Sequence, residues 1–175
     1  ALSPQHPLRS SVVTPEDSGS FSPTSSDGAA VTRLLGRTPF TRYRVTVRCP
    51  FGAPAVLENA PQDLEGRPFP TRYWLTCRAL GVDVSRLEAG GGVRALEADA
   101  AMHDAVRDAH ARHATMHAGY RVGGVGDEDR VKCLHAQLAF ALATGGNPVG
   151  DWIVQRGAVQ WPDACCAALQ PEVTA

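Results

Sequence analysis

The sequence predicts an α+β fold, in which a small antiparallel or mixed sheet from the N-terminal half is packed by C-terminal helices in a single domain. Residues 42–77 contain segments that alternate between apolar and polar side chains, which is the period of a strand. Beyond residue 83 the apolar residues recur at the helical period. The 175 residues, 43% of them hydrophobic, suit one ordinary core and exclude a large multidomain protein.

The composition changes along the chain and predicts the domain boundaries. The first segment is rich in Ser, Pro, Gly and acidic residues and poor in residues that form a core, so residues 1–30 are expected to be a disordered tail. The α+β domain is expected over residues 31–160. Residues 161–175 are expected to be a C-terminal tail.

Three strands are expected in the N-terminal half. In RYRVTVRC, the alternation places Tyr43, Val45, Val47 and Cys49 on one apolar face. PFGAP predicts a turn and AVLENA the second strand of a hairpin. RYWLTC predicts a third strand whose apolar face ends in Cys77. Within one sheet, this parity would put the thiols of Cys49 and Cys77 on the same face.

Helices are expected after the third strand. DVSRLEAGG predicts a short helix capped near its first residues and stopped by glycine, and a long helix is expected from about residue 93 to residue 120. RVKCLHAQLAFALA predicts another helix. Cys133 and His135 can act together there only if that helix starts at or after Cys133, because inside a helix they point about 200° apart. In NPVGDWIVQ, Asn147 is the expected N-cap and Pro148 takes the first helical position.

The charge balance narrows the classes of partner. Lys and Arg number 17 and Asp and Glu number 18, so the net charge of -1 disfavours a nucleic-acid partner or an anionic membrane. No apolar run approaches the roughly 20 residues that span a bilayer, and no secretory signal is visible, so a cytoplasmic location is expected. Arg42, Arg44 and Arg48 share the polar face of the first strand. They are candidates for an anionic or phosphate-bearing ligand, although such a face is usually only solvated.

The cysteines do not suggest a disulfide framework, because their number is odd and they are scattered. They are Cys49, Cys77, Cys133, Cys165 and Cys166. The last two are adjacent to each other and are interpreted as tail residues outside any site.

The other three cysteines suggest a metal centre. Cys49, Cys77 and Cys133 each end a strand or begin a helix, which are positions where metal ligands gather. His117, at the end of the long helix, is the expected fourth ligand, and His135 is the alternative. Three thiolates and one imidazole favour zinc or an iron–sulfur cluster over magnesium or calcium.

Four histidines of the long helix fall on one arc of its surface at the edge of the apolar stripe; they are His103, His110, His113 and His117. Such an arc is open to two interpretations. The side chains can chelate a metal, or they can pack at the boundary of the core while keeping hydrogen bonds.

A cysteine-dependent enzyme is the alternative to a metal centre. Cys133 would be the nucleophile, and Lys132 together with the helix N-terminus would lower its pKa. His117 or His135 would act as the base. A third possibility is a non-enzymatic interaction module that uses the arginine-rich strand face. The sequence leaves open whether the protein is an enzyme.

Several motifs occur in an order that resembles the DUF501 family of uncharacterised, mainly actinobacterial proteins. The motifs are RVTVRCPFGAPAV, GRPFPTRYWLTC, SRLEAGG, the H-x-x-Y of His117 and Tyr120, and RVKCLHAQLAFALATGGNPVGD, over about residues 33 to 153. The resemblance implies no activity, because none is established for the family. The family pattern falls on Cys49, Pro50, Gly52, Pro68, Pro70, Thr71, Cys77, His117, Tyr120, Lys132, Cys133, His135, Asn147 and Pro148.

Overall fold

A three-stranded antiparallel sheet packed by helices forms the protein, which confirms the predicted α+β fold. The computed structural model describes Leu8, Phe21 and residues 25–166. The strands are β1 (Thr41–Arg48), β2 (Pro54–Asp63) and β3 (Tyr73–Leu75). The helices are α1 (Ser25–Leu35), α2 (Arg78–Ala89), α3 (Gly92–Ala98), α4 (His103–Met116), α5 (Leu134–Ala143) and α6 (Pro148–Gly157), with 3₁₀ turns at Ala100–Met102 and Val122–Gly124.

The central strand β2 pairs antiparallel with both neighbours, so β1 and β3 run in the same direction. Helices cover both faces of the sheet. On one face lies the main core, a buried cluster whose members include Val47, Val56, Leu80, Leu138 and Phe140. On the other face lies a smaller cluster of Val31 from α1 with Tyr43 and Leu57. β2 is therefore buried from Pro54 to Ala60.

A β-bulge in β1 changes which residues face the main core. The pairing with β2 shifts register between Val45 and Val47. Tyr43 and Val45 consequently pack with the cluster beneath α1, whereas Val47 and Cys49 belong to the main core. The prediction that all four share one face was wrong, because an inserted residue reverses the alternation. Cys77 also lies in the main core, so Cys49 and Cys77 share a face as predicted.

The N-terminal boundary differs from the predicted one. α1 begins at Ser25, so residues 25–30 of the expected disordered tail are helical. Asp27 in this segment is buried, and its carboxylate accepts hydrogen bonds from Arg48 of 2.9 and 2.8 Å. Leu8 lines an apolar groove between α5 and α6. The rest of the expected tail, apart from Phe21, lies outside the described residues.

The expected long helix is interrupted at Asp99, which has an extended backbone. Its carboxylate accepts a hydrogen bond from the Ala101 amide (3.2 Å) and another from Trp152 Nε1 of α6 (3.1 Å). An Asp side chain that bonds its own backbone competes with helix continuation, and Trp152 stabilises that arrangement. α2 also differs from the prediction, because it starts at Arg78 with Cys77 as its N-cap.

α5 is the central helix of the C-terminal layer. It is buried on nearly every side, packs against β3 and contacts α2 and α6. α6 starts as predicted, since Asn147 Oδ1 accepts a hydrogen bond from the Gly150 amide (2.8 Å) and Pro148 is the first helical residue. No helix in the described part of the chain combines the length and apolar character that crossing a membrane requires.

Candidate thiol site

Cys49 and Cys77 lie at the same end of the sheet, because β1 and β3 run in the same direction and each cysteine follows the end of its strand. Cys49 directly follows β1, and its amide donates to the carbonyl of Ala53 (2.9 Å) at the start of β2. Cys77 follows β3, and its amide donates to the carbonyl of Ala55 (3.3 Å). The turn after Cys49 contains Gly52 at a φ of 82°, a conformation that favours glycine. Two buried thiols therefore flank the first residues of β2.

The segment after α6 brings two more thiols to this end of the sheet. Trp161 is buried, and Cys165 and Cys166 pack against the main core. The sulfur of Cys166 lies 3.7 Å from that of Cys77. Cys165 is the neighbour of Cys49, since its thiol contributes to raising the pKa of Cys49. The interpretation of Cys165 and Cys166 as mere tail residues was wrong, and the bulky apolar Trp161 is the sequence signal that could have corrected it.

We refer to Cys49, Cys77, Cys165 and Cys166 as the thiol site. Burial raises the pKa of Cys77 to about 12; the amides of Leu80 and Ala79 act in the opposite direction, and the Cys166 thiol adds to the rise. Burial also raises the pKa of Cys49. Both shifts favour the protonated thiol over the thiolate, because a buried thiolate lacks the stabilisation of water.

Cys133 is the N-cap of α5, so this helix begins directly after it. This is the start that joint action of Cys133 and His135 would require. Burial raises the pKa of the Cys133 thiol, and the Glu88 carboxylate adds to the rise. The amides of Ala136 and His135 and the charge of Lys132 lower it, as expected. Because burial has the larger effect, the net pKa change is opposite to the one that an activated nucleophile needs.

His135 connects α5 to α2 through both ring nitrogens. Nδ1 lies 3.2 Å from Glu88 Oε1, and Nε2 lies 3.1 Å from the Gly81 carbonyl and 3.2 Å from Ser85 Oγ. Glu88 also accepts the Leu134 amide at the start of α5. A carbonyl oxygen can only accept, so Nε2 must carry a proton to bond Gly81. It then has no lone pair with which to deprotonate Ser85, and the arrangement serves to join two helices.

His117 is buried at the end of α4 and bonds to the segment that joins β2 to β3. Its Nε2 donates to the carbonyl of Phe69 (2.8 Å), and its ring lies edge-on to His113. Burial lowers the pKa of His117, which favours the neutral ring. Nδ1 of the same ring is buried and has no hydrogen-bond partner among the described residues.

The four residues predicted as metal ligands are not brought together. Cys77 precedes α2 and Glu88 lies near its end, and 1.5 Å per residue separates these two positions by about 16 Å. Cys133 lies at the Glu88 end, as the effect of Glu88 on its pKa shows. In the parts of the chain that the structure describes, no three His, Cys, Asp or Glu side chains are arranged to hold one metal ion.

His110 and His113 of α4 follow the packing interpretation, whereas His103 does not. His110 and His113 are each 1% exposed, and each donates to a backbone carbonyl, that of Arg130 (3.0 Å) and that of Tyr120 (2.6 Å). Burial lowers the pKa of His113 to about 4. His103 is exposed. Burial therefore favours the neutral rings of His110 and His113, which pack in the core and satisfy loop carbonyls.

The prediction that Arg42, Arg44 and Arg48 share one face of β1 was wrong, because the bulge between Val45 and Val47 turns Arg48 to the side of α1. Arg44 and Arg48 are each bound to a carboxylate of the same chain. Arg44 Nε donates to Glu58 Oε2 (2.8 Å), and Arg48 binds both oxygens of Asp27. Arg42 is exposed. An anionic ligand at these three arginines would have to displace Glu58 and Asp27, which weakens the case for such a ligand.

Comparison with known proteins identifies the family of this chain but no activity. The model of a family described as "Protein of unknown function (DUF501)" matches residues 45–121 and 111–155. The chain belongs to the DUF501 family. No curated protein and no solved structure matches it. The DUF501 match includes Cys49, Cys77 and Cys133 but ends before Cys165 and Cys166, so the thiol site combines positions inside and outside the matched region.

Proposed function

We propose that this DUF501 protein binds a zinc ion through cysteine thiolates at the end of the sheet where β1 and β3 terminate. The supporting observation is the 3.7 Å separation between the sulfurs of Cys77 and Cys166. Zinc binds cysteine sulfur at about 2.3 Å, and two such ligands at the tetrahedral angle lie about 3.8 Å apart. The two sulfurs therefore already have the spacing of neighbouring ligands on one zinc ion.

Cys49 and Cys165 are the proposed third and fourth ligands. Cys165 is adjacent to Cys166 in the chain, and Cys49 flanks the same end of β2 as Cys77. In the structure the four thiols form two pairs rather than one tetrahedron. A change of χ1 rotamer moves a cysteine sulfur by about 3 Å, and we expect Cys49 and Cys165 to turn toward the ion in this way. This set replaces the ligands expected from the sequence, because Cys133 lies toward the other end of α2.

Burial of the thiols defines the chemistry of such a site. Zinc binds the thiolate, so it must displace protons from thiols whose pKa is raised by burial. Apparent zinc affinity should therefore increase with pH. Backbone amides that lower the pKa of Cys49 and Cys77 would also stabilise their thiolates beside the ion. With four sulfur ligands the site has no open position, which favours a structural role that joins the C-terminal segment to the sheet.

Metal analysis of the full chain, purified with a reductant and without a chelator, tests the proposal. We expect one zinc ion per chain, no visible absorption, and loss of most of the metal in Cys77→Ser and in Cys166→Ser. Cys133→Ser is the matched control, because it removes a half-buried thiol outside the thiol site, and it should retain the metal.

Each alternative gives a different result. Stoichiometric iron with visible absorption would replace zinc by an iron–sulfur cluster and contradict the proposal. Equal metal loss in Cys133→Ser and Cys77→Ser would restore the ligand set expected from the sequence. A reduced wild-type protein that contains no zinc and takes up none from added zinc chloride would refute metal binding altogether.

A further inference from the structure

We infer that Cys77 and Cys166 are a redox modification site, at which a peroxide converts the two thiols into an intramolecular disulfide. The bond would tie the segment after α6 to the first turn of α2. The same sulfurs serve in the proposed zinc site, but this inference does not depend on zinc and goes beyond that function.

The geometry of the pair favours bond formation. The two sulfurs are 3.7 Å apart, and a disulfide of about 2.05 Å needs an approach of roughly 1.7 Å. Cys77 is held in place, because its amide bonds to Ala55 and it begins α2. Cys166 lies outside the described helices and strands, so it can make the approach without breaking their hydrogen bonds.

Exposure determines the order of the two steps. Cys77 is only 3% exposed, whereas Cys166 is half-buried and meets a soluble oxidant first. The Cys166 sulfur attacks hydrogen peroxide, the O–O bond breaks, and the products are a sulfenic acid and one water molecule. The Cys77 sulfur then attacks the sulfenic sulfur, and because its raised pKa keeps it protonated beforehand, it must lose its proton in this step, which makes the step slow. The S–S bond forms as the S–O bond breaks, and the hydroxide leaves as a second water molecule with the proton of Cys77.

The other cysteines provide internal comparisons. Cys49 and Cys165 form a neighbouring pair in which the same reaction would produce a second link between the sheet and the C-terminal segment. Cys133 has no thiol neighbour among its pKa determinants and lies toward the far end of α2. It should therefore form no intramolecular disulfide under conditions that link Cys77 to Cys166.

Peptide mapping of the full chain tests the inference. Reduced, chelator-treated protein is exposed to hydrogen peroxide, free thiols are alkylated, and tryptic peptides are identified by mass spectrometry. Cleavage after arginine isolates Cys77 in peptide 73–78 and places Cys166 in peptide 157–175. We expect these two peptides to be linked within one chain, with the loss of two hydrogen atoms, and to separate after reduction.

Variants assign the link to its residues. Because peptide 157–175 contains both C-terminal cysteines, Cys165→Ser should keep the link to peptide 73–78 and Cys166→Ser should lose it. Cys133→Ser should form it as the wild type does. Two results would overturn the inference: Cys77 remains unlinked although Cys133 has been oxidised, or links form only between chains. The peptide map of the wild-type protein shows either result, even if a variant fails to fold.

The result is also separable from the zinc proposal. A disulfide in the chelator-treated protein, with no zinc uptake by the reduced protein, would support this inference and refute the proposed function. Zinc uptake without any link to peptide 73–78 would do the opposite. If both hold, zinc-loaded protein should form the link more slowly, because the ion occupies the sulfurs.

Discussion

The contact between α5 and α6 at Gly150 offers a quantitative test of the fold that carries the thiol site. α6 approaches α5 so closely that a Cβ atom built on Gly150 would lie 2.3 Å from Cβ of Ala141. Carbon atoms in contact are normally about 3.5–4.0 Å apart. The change Gly150→Ala should therefore force the two helices apart by more than about 1 Å at their point of contact.

The magnitude follows from two opposing effects. Overpacking a core contact costs about 1–3 kcal/mol, while Ala exceeds Gly in helix propensity by up to about 1 kcal/mol. Because a Cβ–Cβ distance of 2.3 Å is a severe clash, the overpacking cost should lie in the upper part of its range, and the net loss of unfolding free energy should be about 1–2 kcal/mol for Gly150→Ala. For Ala141→Gly, the lost propensity and one buried methyl group together cost about 2 kcal/mol. In the double variant the methyl group moves from α5 to α6, so its loss should be smaller than the sum of the single losses by about 1 kcal/mol or more.

Urea denaturation of the four proteins at one pH measures this coupling. In a chain of this length, each kcal/mol lost should also lower the melting temperature by about 2–4 °C. A Gly150→Ala protein as stable as the wild type would show that the helices are not in contact there. A double variant whose loss equals the sum of the single losses would show that the two positions do not face each other.

Two further predictions concern local interactions. Burial lowers the pKa of His113 to about 4 from an ordinary value of 6.5, so the unfolded chain binds a proton more readily between these pH values. The neutral His113 therefore contributes to stability fully above pH 6.5, and this contribution is lost as the pH falls toward 4. The loss should reach up to about 3 kcal/mol. Denaturation curves of His113→Phe should accordingly depend less on pH in this range. Asn147→Ala removes the N-cap of α6 and should lower the free energy of unfolding by about 1 kcal/mol, whereas Asn147→Ser should recover much of this loss. Identical urea midpoints for the wild type and Asn147→Ala would contradict the capping role of Asn147.

Sequence patterns predicted the features that depend on neighbours along the chain. The first residues of α6 follow from Asn147 and Pro148, because an N-cap acceptor and a fixed φ act within one turn of helix. The start of α5 directly after Cys133, which was expected to begin a helix, is of the same kind. In each case the periodicity or the cap determines the structure locally.

Features that depend on distant contacts departed from the predictions. The helical pattern continues through Asp99, yet the helix is interrupted there, because Trp152 from α6 binds the Asp99 carboxylate. The composition of residues 25–30 suggests disorder, but α1 covers the second face of the sheet and Asp27 pairs with Arg48 of β1. A partner that is far away in the sequence leaves no periodic signal near the residue that it stabilises.

The thiol site shows the same division between local pattern and tertiary contact. The strand pattern by itself placed Cys77 at the end of an apolar face, whereas the bulge in β1 decided the face on which Cys49 lies. Only the tertiary structure decided their neighbours, since Cys166 is 89 residues from Cys77 in the chain and reaches it because Trp161 is buried in the core. Periodicity determines the direction of a side chain within its own element, whereas the packing of whole elements determines which side chains meet.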